Sequence, residues 1–100
     1  MALRRIVRSS RYNEDIQRLG SEGKRLDRLL EWALSTNPEH AGRGLGFRLF
    51  VGKVEIERPQ FFFYQVNSDH VALLRVKDAP GPWSKDGEGV SEIPRHYSVH

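Results

Sequence analysis

The residues best suited to chemistry in this sequence are the consecutive Arg95, His96 and Tyr97 near its end. Histidine exchanges a proton near neutral pH, and a tyrosine hydroxyl donates hydrogen bonds and can serve as an acid. The pair therefore suits general acid–base catalysis, provided that the C-terminal segment folds back onto the rest of the domain. The alternative interpretation is a solvent-exposed tail in which neither residue has a catalytic role.

Cationic side chains in and beside the predicted strands could stabilise a negatively charged substrate. Arg75 interrupts an otherwise apolar stretch, so we expect it to have a specific role and predict a catalytic one. Arginine suits this work because its planar guanidinium matches two phosphate oxygens at once. Further cations that could bind nucleic-acid phosphates are Arg43, Arg48, Lys53, Arg58 and Lys77. Taken singly, each is equally well explained as an ordinary charge on the surface of a sheet.

The composition argues against several other kinds of site. The sequence has no cysteine, which excludes disulfides and cysteine-based nucleophiles or metal ligands. His96 and His100 have the i, i+4 spacing of one helix face, but two histidines are a weak metal signal. We therefore predict no metal and no other cofactor. His40 and His70 are most simply surface residues.

Charge and hydropathy bear on compartment and partners. No stretch of the 100 residues is long and apolar enough to span a membrane or to form the core of a signal peptide, so we expect a soluble, cytoplasmic protein. The net charge is +3, and residues 1–30 hold eight Arg or Lys against four acids. Such a basic region favours a polyanion or an acidic protein partner, although a solvated helix face is the simpler explanation.

Residues 61–77 predict two β-strands around which the rest of the chain is organised. Aromatic, β-branched and aliphatic residues dominate them, and Asn67-Ser68-Asp69 supplies a tight polar turn. The four consecutive aromatics at 61–64 must point alternately to the two faces of the sheet, so at least two belong to the core. The other two could stack on nucleobases or be covered by a partner or by the tail.

The elements upstream predict a strand followed by a helical hairpin. Residues 3–8 have strand character, and Ser9-Ser10 can cap a helix at about 11–20, which Gly20 would end. Glu14 and Asp15 are expected to favour the positive end of that helix dipole. A second helix starts near residues 21–23, with Trp32 beside its apolar stripe, and Asn37-Pro38 stops it.

Two segments around these elements are less regular. Residues 40–46 predict a mobile glycine-rich loop carrying Arg43, without the spacing of a phosphate-binding loop. Residues 47–57 return to strand character but change phase at Gly52-Lys53, which predicts a hairpin there or, alternatively, a bulge in one longer strand. We divide the chain into one domain at 1–77 and a tail at 78–100 that wraps the domain or moves freely.

The order of elements predicts an α+β fold: an N-terminal strand and a helical hairpin packed on a small antiparallel sheet. Over residues 3–77 the chain resembles the RelE/ParE superfamily of toxins from type II toxin–antitoxin systems. The resemblance is carried by the strand-to-helix start Ile6-Val7-Arg8-Ser9-Ser10-Arg11-Tyr12 and by two paired strands. These strands read Phe63-Tyr64-Gln65-Val66 and Val71-Ala72-Leu73-Leu74-Arg75-Val76.

The resemblance implies a toxin that an antitoxin inhibits and that cleaves ribosome-bound mRNA without a metal. Some members of the superfamily end with a His-Tyr pair in their active site, which His96-Tyr97 resembles. Two features depart from the family: Phe61 stands where an arginine is usual, three residues before Tyr64, and Asp78 follows the last strand where basic residues are usual. The missing arginine at position 61 favours the alternative of a non-catalytic module of the same fold that binds or inhibits a protein target, whereas the basic region and His96-Tyr97 favour RNA cleavage. A third possibility is an unrelated α+β domain with the same order of elements.

Overall fold

The computed structural model describes residues 3–79, and all structural statements concern that range. Two helices, one short 3-10 turn and five strands follow one another along it. They are β1 (Arg5–Arg8), α1 (Ser10–Leu19), α2 (Ser21–Thr36), the 3-10 turn (Pro38–His40), β2 (Arg43–Gly46), β3 (Leu49–Glu55), β4 (Pro59–Val66) and β5 (His70–Asp78). The predicted α+β architecture, with a helical hairpin on a small sheet, is confirmed.

The five strands form one sheet in the order β1-β5-β4-β3-β2. The four strands from β2 to β5 pair antiparallel, and β1 joins the edge of β5 in parallel, with Ile6 opposite Val71. The two helices intervene between β1 and the rest of the sheet, which gives the chain the length that a parallel pairing requires.

Both helices pack on one face of the sheet. Along β4 the burial alternates, so Phe62, Tyr64 and Val66 are buried whereas Phe61 and Phe63 are partly exposed on the other face. This is the alternation expected for a strand whose two faces have different environments. Helix and sheet residues share the core: Tyr12, Leu19, Leu26, Leu30, Leu34, Phe62, Tyr64, Val66, Val71, Leu73 and Val76.

The helix boundaries follow their capping residues. The Ser9 hydroxyl accepts the backbone N–H of Tyr12 at 3.0 Å, and Gly20 ends α1 with a φ of +64°. The second helix ends at Thr36, immediately before Asn37-Pro38, as predicted. Trp32, predicted to lie beside the apolar stripe of α2, is 68% exposed.

The region between α2 and β4 is more ordered than the sequence indicates. The predicted mobile loop contains β2, an edge strand in which Arg43 pairs with Val51. Strand pairing uses backbone groups, so a glycine-rich segment can supply them without apolar side chains. The hairpin predicted at Gly52-Lys53 is wrong, because β3 runs through both residues and the chain reverses at Phe47-Arg48 instead. The alternative is right in having one strand through Gly52 but wrong in having a bulge, because β3 pairs with β4 without a shift in register.

Gly52 breaks the apolar pattern for a packing reason. A Cβ atom at this position would lie 2.3 Å from Cζ of Phe62 and 2.7 Å from the carbonyl oxygen of Ala41. The Phe62 ring therefore occupies the space that a side chain at 52 would need. The strand keeps its register with β4 through this point.

Candidate nucleic-acid interface

The face of the sheet opposite the helices combines cationic and aromatic side chains in two transverse rows. Lys53, Phe61 and Lys77 are paired across β3, β4 and β5. The next row is Arg43, Val51, Phe63 and Arg75, across β2 to β5. Directly paired residues on neighbouring strands lie on the same side of a sheet. We call the surface of these seven residues the outer face.

Two phenylalanines lie between the cations of the outer face. The ring centroids of Phe61 and Phe63 are 6.4 Å apart, with planes inclined at 58°. Both side chains are partly exposed, whereas the alternate residues Phe62 and Tyr64 are stacked in the core at a centroid distance of 5.6 Å. The prediction that the aromatic run divides between the two faces is confirmed.

Charge on this side of the sheet is predominantly positive. Strand register places Arg5 of β1 on the same side of the sheet as the four cations of the outer face. Within residues 3–79, the carboxylates near these residues are Glu55, opposite Pro59 at the end of β3, and Asp69, beside His70 at the start of β5. An excess of cations on a surface that also carries aromatic rings is the pattern of sites that bind single-stranded nucleic acid.

Arg75 has a structural partner. Its Nε lies 2.9 Å from Oδ2 of Asp15 on α1, and its Nη2 lies 3.3 Å from Oδ1. The same carboxylate accepts the backbone N–H of Val76 at 2.8 Å. β1 pairs with β5 only as far as Leu73. Beyond the end of β1, Asp15 therefore provides the hydrogen-bond acceptor for the backbone N–H of Val76 on the edge of β5. This contact explains why a cation interrupts an apolar strand.

Asp15 is 5% exposed, and its environment affects its ionisation. Burial alone would raise the pKa of the carboxyl, but the hydrogen bonds from Arg75 and Val76 outweigh that effect and lower it. The expected role at the helix dipole is wrong, because the first turn of α1 contains no acidic residue. Asp15 lies among the core-facing residues of the helix instead.

Arg58 also binds a buried carboxylate. Its Nη2 lies 3.0 Å from Oε1 of Glu22, and Oε2 of Glu22 accepts the backbone N–H groups of Arg58 and Glu57 at 3.1 and 3.3 Å. Burial would raise the pKa of Glu22, but these hydrogen bonds lower it. The contact holds the start of α2 against the connection between β3 and β4. Arg58 therefore lies apart from the rows of the outer face.

Arg48 lies in the turn between β2 and β3. Its Nη1 donates to Oδ1 of Asn67 at 3.4 Å, and its carbonyl oxygen accepts the backbone N–H of Val66 at 2.9 Å. Asn67 also contacts Nε2 of His70 at 3.1 Å, and Nδ1 of His70 lies 2.8 Å from Asp69. His70, predicted as a simple surface residue, thus belongs to a hydrogen-bonded chain at this end of the sheet.

Three further sequence predictions concern the acid–base pair, a metal site and a membrane-spanning segment. His96 and Tyr97 lie outside residues 3–79, so the predicted acid–base pair stays a prediction. Within that range, no three His, Asp or Glu side chains are grouped closely enough to hold a metal ion. No helix between residues 3 and 79 has both the length and the apolar character needed to cross a membrane.

The partners of three carboxylates, the buried Asp15 and Glu22 and the half-buried Asp27, were not predicted from the sequence. Asp15 and Glu22 bind the two predicted cations Arg75 and Arg58, and Asp27 accepts the hydroxyl of Tyr12 at 2.7 Å. A signal was present in the helix periodicity: Asp15 follows Tyr12 by three residues, and Glu22 precedes Leu26 by four. A carboxylate at a stripe position needs a buried partner, and arginine is the usual one.

Comparison with solved structures gives the fold of the chain. It resembles a chain of the toxin–antitoxin complex RelBE2 (Rv2865-2866) from Mycobacterium tuberculosis, with a TM-score of 0.62 and 16% identity, over 77% of this chain and 99% of that one. It also resembles a chain of the intact RelBE toxin–antitoxin complex of E. coli, with a TM-score of 0.62 and 20% identity, over 78% and 99%. No protein-family model and no curated protein matches the sequence. The predicted resemblance to the RelE/ParE-like toxin fold is confirmed.

Proposed function

We propose that this protein is the toxin of a type II toxin–antitoxin system and that it acts on RNA bound at the outer face. The observation that carries the proposal is the row of Lys53, Phe61 and Lys77, in which an aromatic side chain lies between two cations. Phosphates are attracted by the cations, and unpaired bases stack on aromatic rings. Ribosome-bound mRNA supplies such a strand, in the cytoplasm.

The fold supports the toxin role and an antitoxin partner. Both neighbours are chains of toxin–antitoxin complexes, and each is covered almost completely by this chain. An antitoxin that covers the outer face would bury Phe61 and Phe63 and neutralise the cations around them. We infer an acidic segment in that antitoxin, because the surface it would cover is basic.

The proposed reaction is metal-independent cleavage of the RNA backbone. The 2′-hydroxyl loses its proton to a base and attacks the adjacent phosphorus, and an acid protonates the departing 5′-oxygen. His96 and Tyr97 are proposed for these proton transfers, and Arg75 for stabilising the charge that develops on the phosphate oxygens. Arg43, Lys53 and Lys77 of the outer face and Arg48 of the adjoining turn are proposed to bind the flanking phosphates, and Arg58, which lies apart from these rows, to bind a phosphate farther along the strand.

A second candidate function is supported by two residues. Phe61 stands where the family usually has an arginine, and the guanidinium of Arg75 is engaged with Asp15. Both reduce the cationic charge available to a scissile phosphate. The alternative is therefore a non-catalytic module of the same fold that binds and inhibits a protein target.

Induced expression in bacteria distinguishes the two functions. The wild type is compared with His96→Ala and Arg75→Ala, with His100→Ala as a matched histidine control, and mRNA cleavage is mapped on ribosomes. We expect growth arrest with cleavage, lost in the first two variants and kept in the control. Arrest without cleavage would identify an inhibitor of a protein target, and normal growth at good soluble yield would contradict the toxin role.

A further inference from the structure

The turn between β2 and β3 holds an aromatic side chain out from the protein. Phe47 is 97% exposed, the largest exposed fraction among the large apolar residues between 3 and 79. Phe47 and Arg48 have φ values of +53° and +67°. Positive φ at both central residues is the signature of a type I′ turn, a conformation that Asn and Gly adopt far more readily than Phe.

The strained conformation of Phe47 is not compensated by its own packing. An L-residue with a bulky side chain costs conformational energy at positive φ, and an exposed ring recovers none of that energy through burial. Backbone strain that persists without a structural benefit is concentrated at functional sites. The turn is therefore a candidate for a binding role rather than for a role in folding.

The turn is fixed to the sheet on both sides. Gly46 pairs with Leu49 across it, and the carbonyl oxygen of Arg48 accepts the backbone N–H of Val66 from β4. The side chain of Arg48 donates to Asn67 at 3.4 Å, which ties the turn to the start of β5. The backbone that carries the Phe47 ring is thus held in place at the end of the outer face, so binding a ligand there would require little further ordering of the turn.

The residues in and beside the turn carry positive charge, which favours a negatively charged ligand. Residues 40–54 contain Arg43, Arg48 and Lys53 and no Asp or Glu. Arg43 and Lys53 belong to the outer face, so a strand of RNA that lies along this face would reach the turn at its end. A cation beside a protruding aromatic ring matches a phosphate followed by an unpaired base.

We propose that Phe47 is a base-stacking residue that holds an unpaired nucleotide of the RNA at the end of the outer face, with Arg48 beside its phosphate. This inference rests on the proposed function, because it assumes an RNA substrate. The contact between Phe47 and a base would be additional to the RNA contacts of the outer face and to the proton-transfer role proposed for His96 and Tyr97.

Two substitutions at position 47 separate stacking from turn geometry. Phe47→Asn removes the ring and supplies a residue that favours positive φ, and Phe47→Trp keeps an aromatic surface. Leu45→Asn is the matched control, since Leu45 is a 52% exposed apolar residue of the same hairpin. The probe is a fluorescein-labelled single-stranded RNA of about 15 nucleotides, a length chosen from the site sizes of single-strand binders. Affinity is measured with the full chain by fluorescence anisotropy.

We expect Phe47→Asn to weaken RNA binding by roughly tenfold or more. Its melting temperature should not fall, and the salt dependence of its affinity should match the wild type because no charge is removed. Phe47→Trp and Leu45→Asn should bind RNA with an affinity within about threefold of the wild type, because neither variant loses a stacking contact.

Two different results would overturn the inference, and they are distinguishable. Wild-type affinity in Phe47→Asn, with RNA still bound and cleaved, would refute the role of Phe47 and leave the proposed function in place. A wild-type chain that neither binds nor cleaves RNA would refute both. A loss of antitoxin binding in Phe47→Asn without a loss of RNA affinity would assign the ring to the protein partner instead.

Discussion

The guanidinium of Arg75 lies against the buried carboxylate of Asp15, with 2.9 Å between Nε and Oδ2. The same carboxylate accepts the backbone N–H of Val76. One side chain of α1 thus forms an ion pair with Arg75 and a hydrogen bond with the edge of β5 that β1 leaves unpaired. Arg75 is 34% exposed and could still contact a substrate from its solvent side. Any loss of activity on its removal therefore combines two effects that must be separated.

Substitution of Arg75 is expected to affect the fold as well as any activity. Arg75→Ala leaves Asp15 without its main cationic partner, so the melting temperature should fall. Lys77→Ala removes an exposed cation of the same strand that binds no buried carboxylate within residues 3–79, and its melting temperature should stay close to that of the wild type. Differential scanning fluorimetry measures both. Equal melting temperatures in all three proteins would show that the Arg75–Asp15 contact contributes nothing to stability.

Stability should depend on pH in the acid range. The pKa values of Asp15, Glu22 and Asp27 are all lowered in the folded protein. In the unfolded chain such groups titrate at about 3.9 for Asp and about 4.3 for Glu. Their stabilising contribution is therefore complete above those values and is lost as the pH falls through the lower folded values.

Urea denaturation between pH 7 and pH 3 measures this dependence. We expect the free energy of unfolding to decrease across the lower part of the range, and the decrease to be smaller in Glu22→Gln, which has one fewer lowered group. Glu39→Gln is the control, since Glu39 is exposed in the turn after α2. A free energy of unfolding that stays constant down to pH 3 would contradict the lowered pKa values.

The hydroxyl of Tyr12 should contribute measurably to stability. It donates to Oδ1 of Asp27 at 2.7 Å, and Tyr12 is fully buried. Hydrogen bonds to charged groups contribute about 1.5–3 kcal/mol, so Tyr12→Phe should reduce the free energy of unfolding by about 2 kcal/mol. In an Asp27→Asn background the reduction should be smaller, as a double-mutant cycle would measure. The same reduction in both backgrounds would rule out coupling between the two side chains.

Gly52 should not tolerate a side chain. Its Cβ would lie 2.3 Å from the Phe62 ring, and such overpacking costs about 1–3 kcal/mol. Gly44→Ala is the matched control on the neighbouring strand, where the nearest atom to the new Cβ would be Cε2 of Phe50 at 3.7 Å. We expect a clear loss of stability in Gly52→Ala and less than about 0.5 kcal/mol in Gly44→Ala. Chemical denaturation of the two variants would contradict this packing if their stabilities were the same.

Patterns within one element were predictable from sequence. In α1, the apolar residues Tyr12, Ile16 and Leu19 recur at spacings of four and three, and Ser9 and Gly20 cap its two ends. Such periodicity and capping depend only on neighbours along the chain. The aromatic run at 61–64 divides between two faces because strand geometry alone requires it.

Features that depend on distant residues were not predictable. Gly52 was interpreted as part of a turn because the reason for a glycine there, the space occupied by the Phe62 ring, lies on another strand. Asp15 looked like a helix-dipole residue because its partners Arg75 and Val76 are about sixty positions away in sequence. For the candidate site, the cations were identified individually, but only the strand register brought Lys53, Phe61 and Lys77 into one row.

The most direct test of RNA binding at the outer face is the salt dependence of affinity for single-stranded RNA. Lys53→Gln combined with Lys77→Gln is compared with Lys24→Gln combined with Arg28→Gln, which removes two exposed cations from α2. Each lost phosphate contact reduces the slope of log affinity against log salt by about 0.7, so the sheet variant should lose about 1.4 from its slope and the helix variant almost nothing. Equal slopes in the two variants would contradict binding at the outer face.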